Sequence, residues 1–585
     1  MLRNRRSAPA PVAGPTARLE PPLGPEARRG PRLGEMIAAR GLVTQDEADA
    51  AAEAGTESGV RIGVNLVNRL QVDERAVTDA LARQYGLQTI DLRAVAPMPE
   101  AAAVLPEATA LALDVLPVRL NGTTLVVAIA DPLDERLPAA LAALPIETVQ
   151  VHLAAPSDIQ SAIYLAYRAL SEVDAQVRAF STAEALQAQD DVSAASVEAD
   201  APIIQVVNKI LTQARRDRAS DVHIEPMGTR VRVRFRIDGA LQEVLSLPSS
   251  MSGALVSRIK IMANMNIVER RRAQDGQFAI TLDQRELDVR VSTTATIWGE
   301  KAVMRLLDKS KSLFRLGQLG MPPELHEAYS KIVRSPFGMV ICSGPTGSGK
   351  TTTLYATLSE INNEELNVMT VEDPVEYVFP SINQIQINEQ ADVTFAAGLK
   401  AILRQDPDVI LVGEVRDVET ARIAVQSALT GHFVLSSIHA TDAASALYRL
   451  LDMGIEPFLV ASSVIAVVGQ RLVRRICRSC AEWVTLSAQE QVVYDELGGR
   501  PKEKFLRGAG CNFCGGTGYR ERVGVFEVLN VTDEIRHLVV SGAMPHVARE
   551  LAVRQGMRTL RQEALRLVEE DVTSVSEILR NVYGG

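Results

Sequence analysis

The segment Gly344-Pro345-Thr346-Gly347-Ser348-Gly349-Lys350-Thr351 constrains the fold of this 585-residue chain more than any other feature. It follows the apolar run 339–341 and precedes a helix-compatible run, 352–361. That is the strand–loop–helix context a phosphate-binding loop requires. Glycines let successive backbone N–H groups curl around phosphate oxygens, and the helix N-terminus adds a favourable dipole. In such a loop Lys350 is expected to reach the β- and γ-phosphates. The Thr351 hydroxyl is expected to ligate Mg²⁺, and Thr352 to continue the cofactor-binding segment.

A chain of this length exceeds one hydrophobic core, and roughly three or four domains are expected. Residues 1–31 are rich in Pro, Ala and Arg without apolar periodicity and read as a disordered leader. Residues 32–92 read as a helical repeat module. Arg32-Leu33-Gly34 recurs 29 positions on as Arg61-Ile62-Gly63, and each copy leads into helically spaced apolar residues. Residues 93–168 read as a second, mixed α/β module, with a hairpin signal at Asn121-Gly122 between alternating strands. An acidic linker is expected over 169–200, where 171–200 hold seven acidic side chains and only Arg178 as a base. A helix and alternating strands such as Val231-x-Val233-x-Phe235 mark a domain at 201–310. From 311 to 585 strands and helices alternate, which predicts a largely parallel sheet, interrupted by a cysteine-bearing insertion at about 471–525.

Further acids fall where a nucleotide site needs them. Val409-Ile410-Leu411-Val412-Gly413-Glu414 is an apolar strand ending in a carboxylate, which suits a magnesium-side acid, directly or through water. Val371-Glu372-Asp373-Pro374-Val375-Glu376 offers two glutamates as general base, and spacing alone does not choose between them. His432 and His439 flank a short strand, and a histidine beside a γ-phosphate can sense or polarise it.

Cys477-x-x-Cys480 and Cys511-x-x-Cys514 form two knuckles 30 residues apart. Four such thiolates suit a closed, structural Zn²⁺ site, with a redox pair or inert thiols as alternatives. Cys342, on the strand entering the loop, reads as core. The formal net charge of −10 argues against a dedicated nucleic-acid binder. No apolar stretch reaches the length of a bilayer span, the nearest being 458–468 with Ser462 and Ser463 inside it. Basic 1–6 is followed by no apolar core, so no secretory signal is expected.

Together these motifs resemble the ATPases of type II secretion and type IV pilus assembly. The resemblance rests on the P-loop, the acidic box 370–376, Glu414 and the histidine box 431–442. It is supported upstream by Arg218-Ala219-Ser220-Asp221-Val222-His223-Ile224-Glu225-Pro226 and Arg234-Phe235-Arg236-Ile237-Asp238-Gly239. It implies a cytoplasmic homo-hexamer whose subunits carry a PAS-like α+β N2 domain and a RecA-like ATPase domain with a zinc-binding insertion. It also implies ATP, Mg²⁺ and structural Zn²⁺ as cofactors, with Glu376 as base, Glu414 on magnesium, and His439 at the phosphate. Arg290 and Arg305 correspond to the arginines that N2 presents to the phosphates. Attachment at the inner membrane would run through a platform protein and a cytoplasmic recruiting domain. Extension and secretion motors carry the tetracysteine module and retraction motors lack it. Arg61-Ile62-Gly63, Leu66, Val67, Leu81 and Gln84 resemble a cyclic di-GMP motif, from which the first copy departs with Gly55 where the pattern expects Gln. Two other classes compete with the motor reading, a nucleic-acid translocase and a nucleotide-dependent scaffold or sensor. DNA-stimulated hydrolysis and phosphate release, respectively, distinguish them.

Overall fold

The computed structural model describes residues 17–23, 30–58, 61–70, 72–167, 173, 176–180, 196–283, 285–308 and 314–583. These fall into two compact units. One holds the residues up to 180 together with Ala509–Thr517, the other the residues from Ser196 on apart from that segment. Most of the acidic linker predicted at 169–200 lies outside the described residues.

In the first unit, helices Leu33–Ala38, Gln45–Ser58, Ile62–Leu70 and Glu74–Tyr85 enclose a small core of Leu33, Ile37, Ala51, Leu66, Val77 and Ala80. The repeated glycines explain the repeat. A Cβ on Gly34 would stand 3.3 Å from the Ala48 side chain, and one on Gly63 3.3 Å from Val77, so both copies place glycine where helices approach most closely. The hairpin Val115–Asn121/Thr124–Ile129 forms as its turn signal predicts, and Thr148–Leu153 adds in parallel.

Two expectations are corrected here. Arg18–Glu20, inside the segment read as a disordered leader, is a strand parallel to Thr148–Leu153. It joins the sheet through main-chain bonds that leave no side-chain signature. The boundary expected at 93 also moves toward the N-terminus. Tyr85, Leu87 and Leu92 belong to the mixed module's core, and Gln88–Thr89 pairs with His152 and Leu153. Within the same unit, Asn512 donates its amide to the Arg93 carbonyl at 3.2 Å.

The second unit begins with an all-antiparallel, six-stranded sheet. Its order is Ala240–Pro248, Arg230–Ile237, Asp221–Met227, Gly299–Asp308, Arg285–Thr296, Gln274–Leu282. Strand alternation buries Val222, Val233, Phe235, Val289, Val291 and Met304 on one face, while helices Ser196–Arg216 and Ser252–Met262 bury Val206, Ile210, Leu255 and Ile259. The other face carries His223, Glu225, Arg232, Arg234, Arg290, Lys301 and Arg305.

The seven-stranded sheet that follows runs Asn383–Gln386, Val368–Glu372, Val409–Val412, Phe433–Ile438, Gly338–Ser343, Val464–Ile476, Tyr519–Asn530. All neighbours are parallel except the last pair. The four central strands are buried along their whole length, and apolar clusters pack on both faces, as a buried parallel sheet requires. The insertion proves shorter than the expected 471–525. Val464–Ile476 and Tyr519–Asn530 form one long hairpin, and the chain leaves it only between Cys477 and Gly518.

Candidate functional site

The P-loop joins strand Gly338–Ser343 to helix Lys350–Ile361 in mid-sheet, where its neighbours are Phe433–Ile438 and Val464–Ile476. Its turn needs glycine. Gly347 and Gly349 have φ of 77° and 89°, and a Cβ on Gly344 would lie 2.5 Å from both the Gln470 carbonyl and Ser348 Oγ. Among the described residues Ser348 Oγ is buried without a hydrogen-bond partner, so the loop presents an orphan hydroxyl as well as helix N-terminal amides. Lys350 Nζ donates to the carbonyls of Gly344 (2.9 Å) and Pro345 (3.2 Å). Burial lowers its pKa, and the nearby Glu414 carboxylate partly offsets that. Thr351 and Thr352 are exposed at the helix start. Cys342 is core as read, its thiol pushed up to about 12 by burial.

The structure separates the two glutamates that spacing left equal. Glu372 is buried at the end of its strand, accepting hydrogen bonds from the Tyr355 hydroxyl, Thr370 Oγ1 (2.6 Å) and Gln384 Nε2 (3.2 Å). Glu376 is about a quarter exposed and faces Arg290. The Tyr355 hydroxyl also accepts the Glu376 amide at 3.2 Å, so one P-loop-helix residue organises the whole acidic box. Glu414 is ion-paired with Arg416 and lies 3.6 Å from His439 Nε2. The two histidines part in the same way. His432 Nδ1 is bonded to the Ser427 carbonyl at 2.9 Å, whereas His439 stands beside Glu414.

Arg290 and Arg305 sit directly opposite one another on paired strands. Like charges in that register repel unless each has its own acid. Arg305 Nε donates to Asp221 at 3.1 Å, and Arg290 reaches Glu376. Both arginines line an open cleft of about 940 Å³ with Asp275, Gln277, Gln386 and Asn388. Sequence reasoning missed Tyr355 and Gln470. Gln470 Oε1 accepts from Thr353 Oγ1 at 2.8 Å and braces the P-loop helix from the adjacent strand. Its only signal is an amide two residues beyond the apolar run 464–468.

The four knuckle cysteines form no disulfide, and their Sγ atoms all lie within 4.8 Å of one another. A tetrahedron with Zn–S near 2.3 Å has an edge of about 3.8 Å. The Cys511–Cys514 separation of 3.7 Å matches that edge. Gly515 and Gly516 turn the second knuckle with φ of 60° and 77°. The set fits a zinc ion.

A phosphate cradle at the carboxyl edge of a mostly parallel sheet, with acids on the next strands and a cation-bearing α+β domain before it, defines a RecA-like P-loop ATPase. Residues 196–580 match the Type II/IV secretion system protein family, and the chain belongs to that family. Residues 85–172 match the MshEN domain. The type IV pilus assembly ATPase PilB of Myxococcus xanthus (strain DK1622) is 39% identical over 560 residues, 94% of this chain and 98% of that protein. The type II secretion system protein HxcR of Pseudomonas aeruginosa is 50% identical over 380 residues, 65% of this chain and 77% of that one. The type II secretion system ATPase E of Vibrio cholerae is 45% identical over 403 residues, 68% and 79% of the two chains.

Proposed function

We propose that the chain is a hexameric motor that hydrolyses ATP to drive assembly of a type IV pilus. The observation that carries this reading is coverage. Likeness to a pilus assembly ATPase runs through the N-terminal unit and spans 94% of the chain, whereas likeness to the secretion proteins HxcR and ATPase E spans 65% and 68% of it. The higher identity to HxcR favours a pseudopilus as the second reading.

In this mechanism Gly344–Thr352 cradle the phosphates and Lys350 moves from the loop carbonyls to the β- and γ-phosphates. Thr351 and Glu414 would hold Mg²⁺, which would neutralise charge on the phosphates. Glu376 positions the attacking water, and His439 reads the terminal phosphate beside Glu414. Arg290 and Arg305 bring positive charge from N2, a contribution worth roughly 10³–10⁵ in rate for comparable arginines. Delivering it from a separate domain couples hydrolysis to domain motion. Zinc at Cys477, Cys480, Cys511 and Cys514 is structural.

No helix among the described residues is long and apolar enough to cross a membrane. We place the motor in the cytoplasm, at the inner membrane through a platform protein and a recruiting domain. Cyclic di-GMP at the N-terminal unit is part of the proposal, supported by the MshEN match. There Arg61 is ion-paired with Asp131, and Gln84 Nε2 donates to the Pro31 carbonyl at 2.8 Å. The test is phosphate release from MgATP by the oligomeric protein beside Lys350→Ala, with a pull-down for pilins. Equal rates in the two proteins would end the reading.

A further inference from the structure

Charged groups at the carboxyl edge of the seven-stranded sheet divide about the P-loop. Glu372, Glu376 and Glu414 follow strands on one side of it. On the other side, Val464–Ile476 pairs Gly469 with Ser343 and then runs on past the loop, which sets Gln470 against Gly344, with Arg471 the next residue along and near enough to Lys350 to act on its charge. Gln470 is committed to bracing, through its side chain on Thr353 and its carbonyl against Gly344.

Arg471 has a different environment. Its guanidinium is half-buried, and its partners are two neutral carbonyls, Gln470 at 3.2 Å from Nη1 and Thr441 at 2.6 Å from Nη2. Among the described residues no carboxylate pairs with it. The two acids that act on it electrostatically are engaged elsewhere. Asp442 pairs with Arg549 and accepts the Ser445 amide, and Glu527 accepts the amides of Ala443 and Leu560. Burial pulls the Arg471 pKa below its ordinary value, the direction expected for a cation held without a counter-ion.

A guanidinium carries five N–H donors in a planar fork, of which these contacts use two. A partly buried charge lacking an opposite charge is unfavourable unless an anion joins it, and a fork of this kind matches phosphate oxygens two at a time. We infer that Arg471 is a second cationic ligand for the bound nucleotide, supplied by the same subunit as the P-loop. It grips the α- and β-phosphates on the side away from Glu414. This rests on the nucleotide-site reading above and adds a residue to it. Because those phosphates are common to ATP and ADP, the contact strengthens both ground states alike. Its loss is therefore expected in affinity and KM rather than in kcat.

The test uses the full-length protein with Arg471→Gln, Arg471→Lys and Lys350→Ala. MgADP calorimetry, steady-state ATP hydrolysis and thermal unfolding without nucleotide are measured for each. In Arg471→Gln, Kd for MgADP and KM for ATP should each rise about tenfold. Unliganded Tm should stay within about 2 °C of the parent, and Arg471→Lys should recover part of the affinity. Unchanged Kd and KM would overturn the assignment. So would a fall in unliganded Tm accompanied by a fall in kcat, which would mark an arginine that only ties down the Thr441 loop. If Lys350→Ala weakens MgADP and Arg471→Gln does not, the site stands and the Arg471 inference fails. If neither variant does, the nucleotide site itself is misplaced.

Discussion

Arg290 Nη1 and Nη2 each lie 3.4 Å from a carboxylate oxygen of Glu376, so the cation of the N2 sheet and the proposed base of the ATPase sheet neutralise one another. Neither can work on a nucleotide while so engaged. A carboxylate occupied by a guanidinium is not free to position a water, and an arginine so held cannot also stabilise charge on a phosphoryl group. In the proposed mechanism the pair must therefore separate before either residue acts.

Arg290→Ala should leave MgADP affinity within about twofold and lower kcat roughly tenfold or more. Glu376→Gln should lower kcat at least as far. Calorimetry together with steady-state hydrolysis checks both, and full turnover in Arg290→Ala would remove that residue from the chemistry.

Tyr355→Phe tests the organisation of the acidic box. The change removes the donor to Glu372 and the acceptor of the Glu376 amide, leaving a buried carboxylate short of one partner. A loss of about 1–3 kcal/mol in stability is expected, with a lower kcat because Glu376 is less well positioned. Denaturant unfolding and hydrolysis rates measure the two effects, and a neutral result in both would show that Gln384 and Thr370 suffice.

Elemental analysis should find one zinc per chain. Cys511→Ser or treatment with a strong chelator should remove it and lower the unfolding temperature. Wild-type affinity for MgADP should survive in the metal-free protein, since the cysteines lie beyond the strands that bear the P-loop. Metal-free protein with unchanged Tm would reject a structural metal.

Glu225 predicts an acid-sensitive N2 domain. Burial alone would raise this carboxyl, but hydrogen bonds from Arg234, Lys301 and Arg232 outweigh it and hold the pKa at about 2, against an ordinary 4.5. A depressed folded-state pKa contributes stability that is fully present above about pH 4.5. That stability is lost as pH falls toward 2. Glu225→Gln should cost about 2–3 kcal/mol at pH 7, because three cations lose their shared acid. The gap between variant and parent should narrow below pH 4.5 and close only below about pH 2, and parallel acid-unfolding curves would count against this.

Motifs defined by local spacing were legible in the sequence. The P-loop sits between its strand and helix because glycine placement and flanking apolar runs are properties of neighbouring residues. The cysteine knuckles likewise meet as their spacing suggests. What stayed closed depends on residues far apart in the chain. Glu372 and Glu376 look alike on paper, and only Tyr355, approaching from another element, buries one and leaves the other facing an arginine 86 positions upstream. Arg18–Glu20 offers one apolar residue, Leu19, too short a pattern to read as a strand, and its place at the sheet edge comes from pairing with Thr148–Gln150. Arg471 fell at the start of the stretch read as an insertion, and Gln470 immediately before it. Their place beside the P-loop follows from parallel pairing with Ser343, which no local pattern encodes.

The strand that braces the P-loop at Gln470 is the same one that ends at Ile476, immediately before Cys477. At about 3.3 Å per residue its last stretch reaches roughly 20 Å beyond the loop, stiffened by its hairpin partner Tyr519–Asn530. It is a lever arm with its fulcrum at the phosphate cradle. A tilt of a few degrees there, too small to disturb a hydrogen bond, sweeps the cysteine end through an ångström or more.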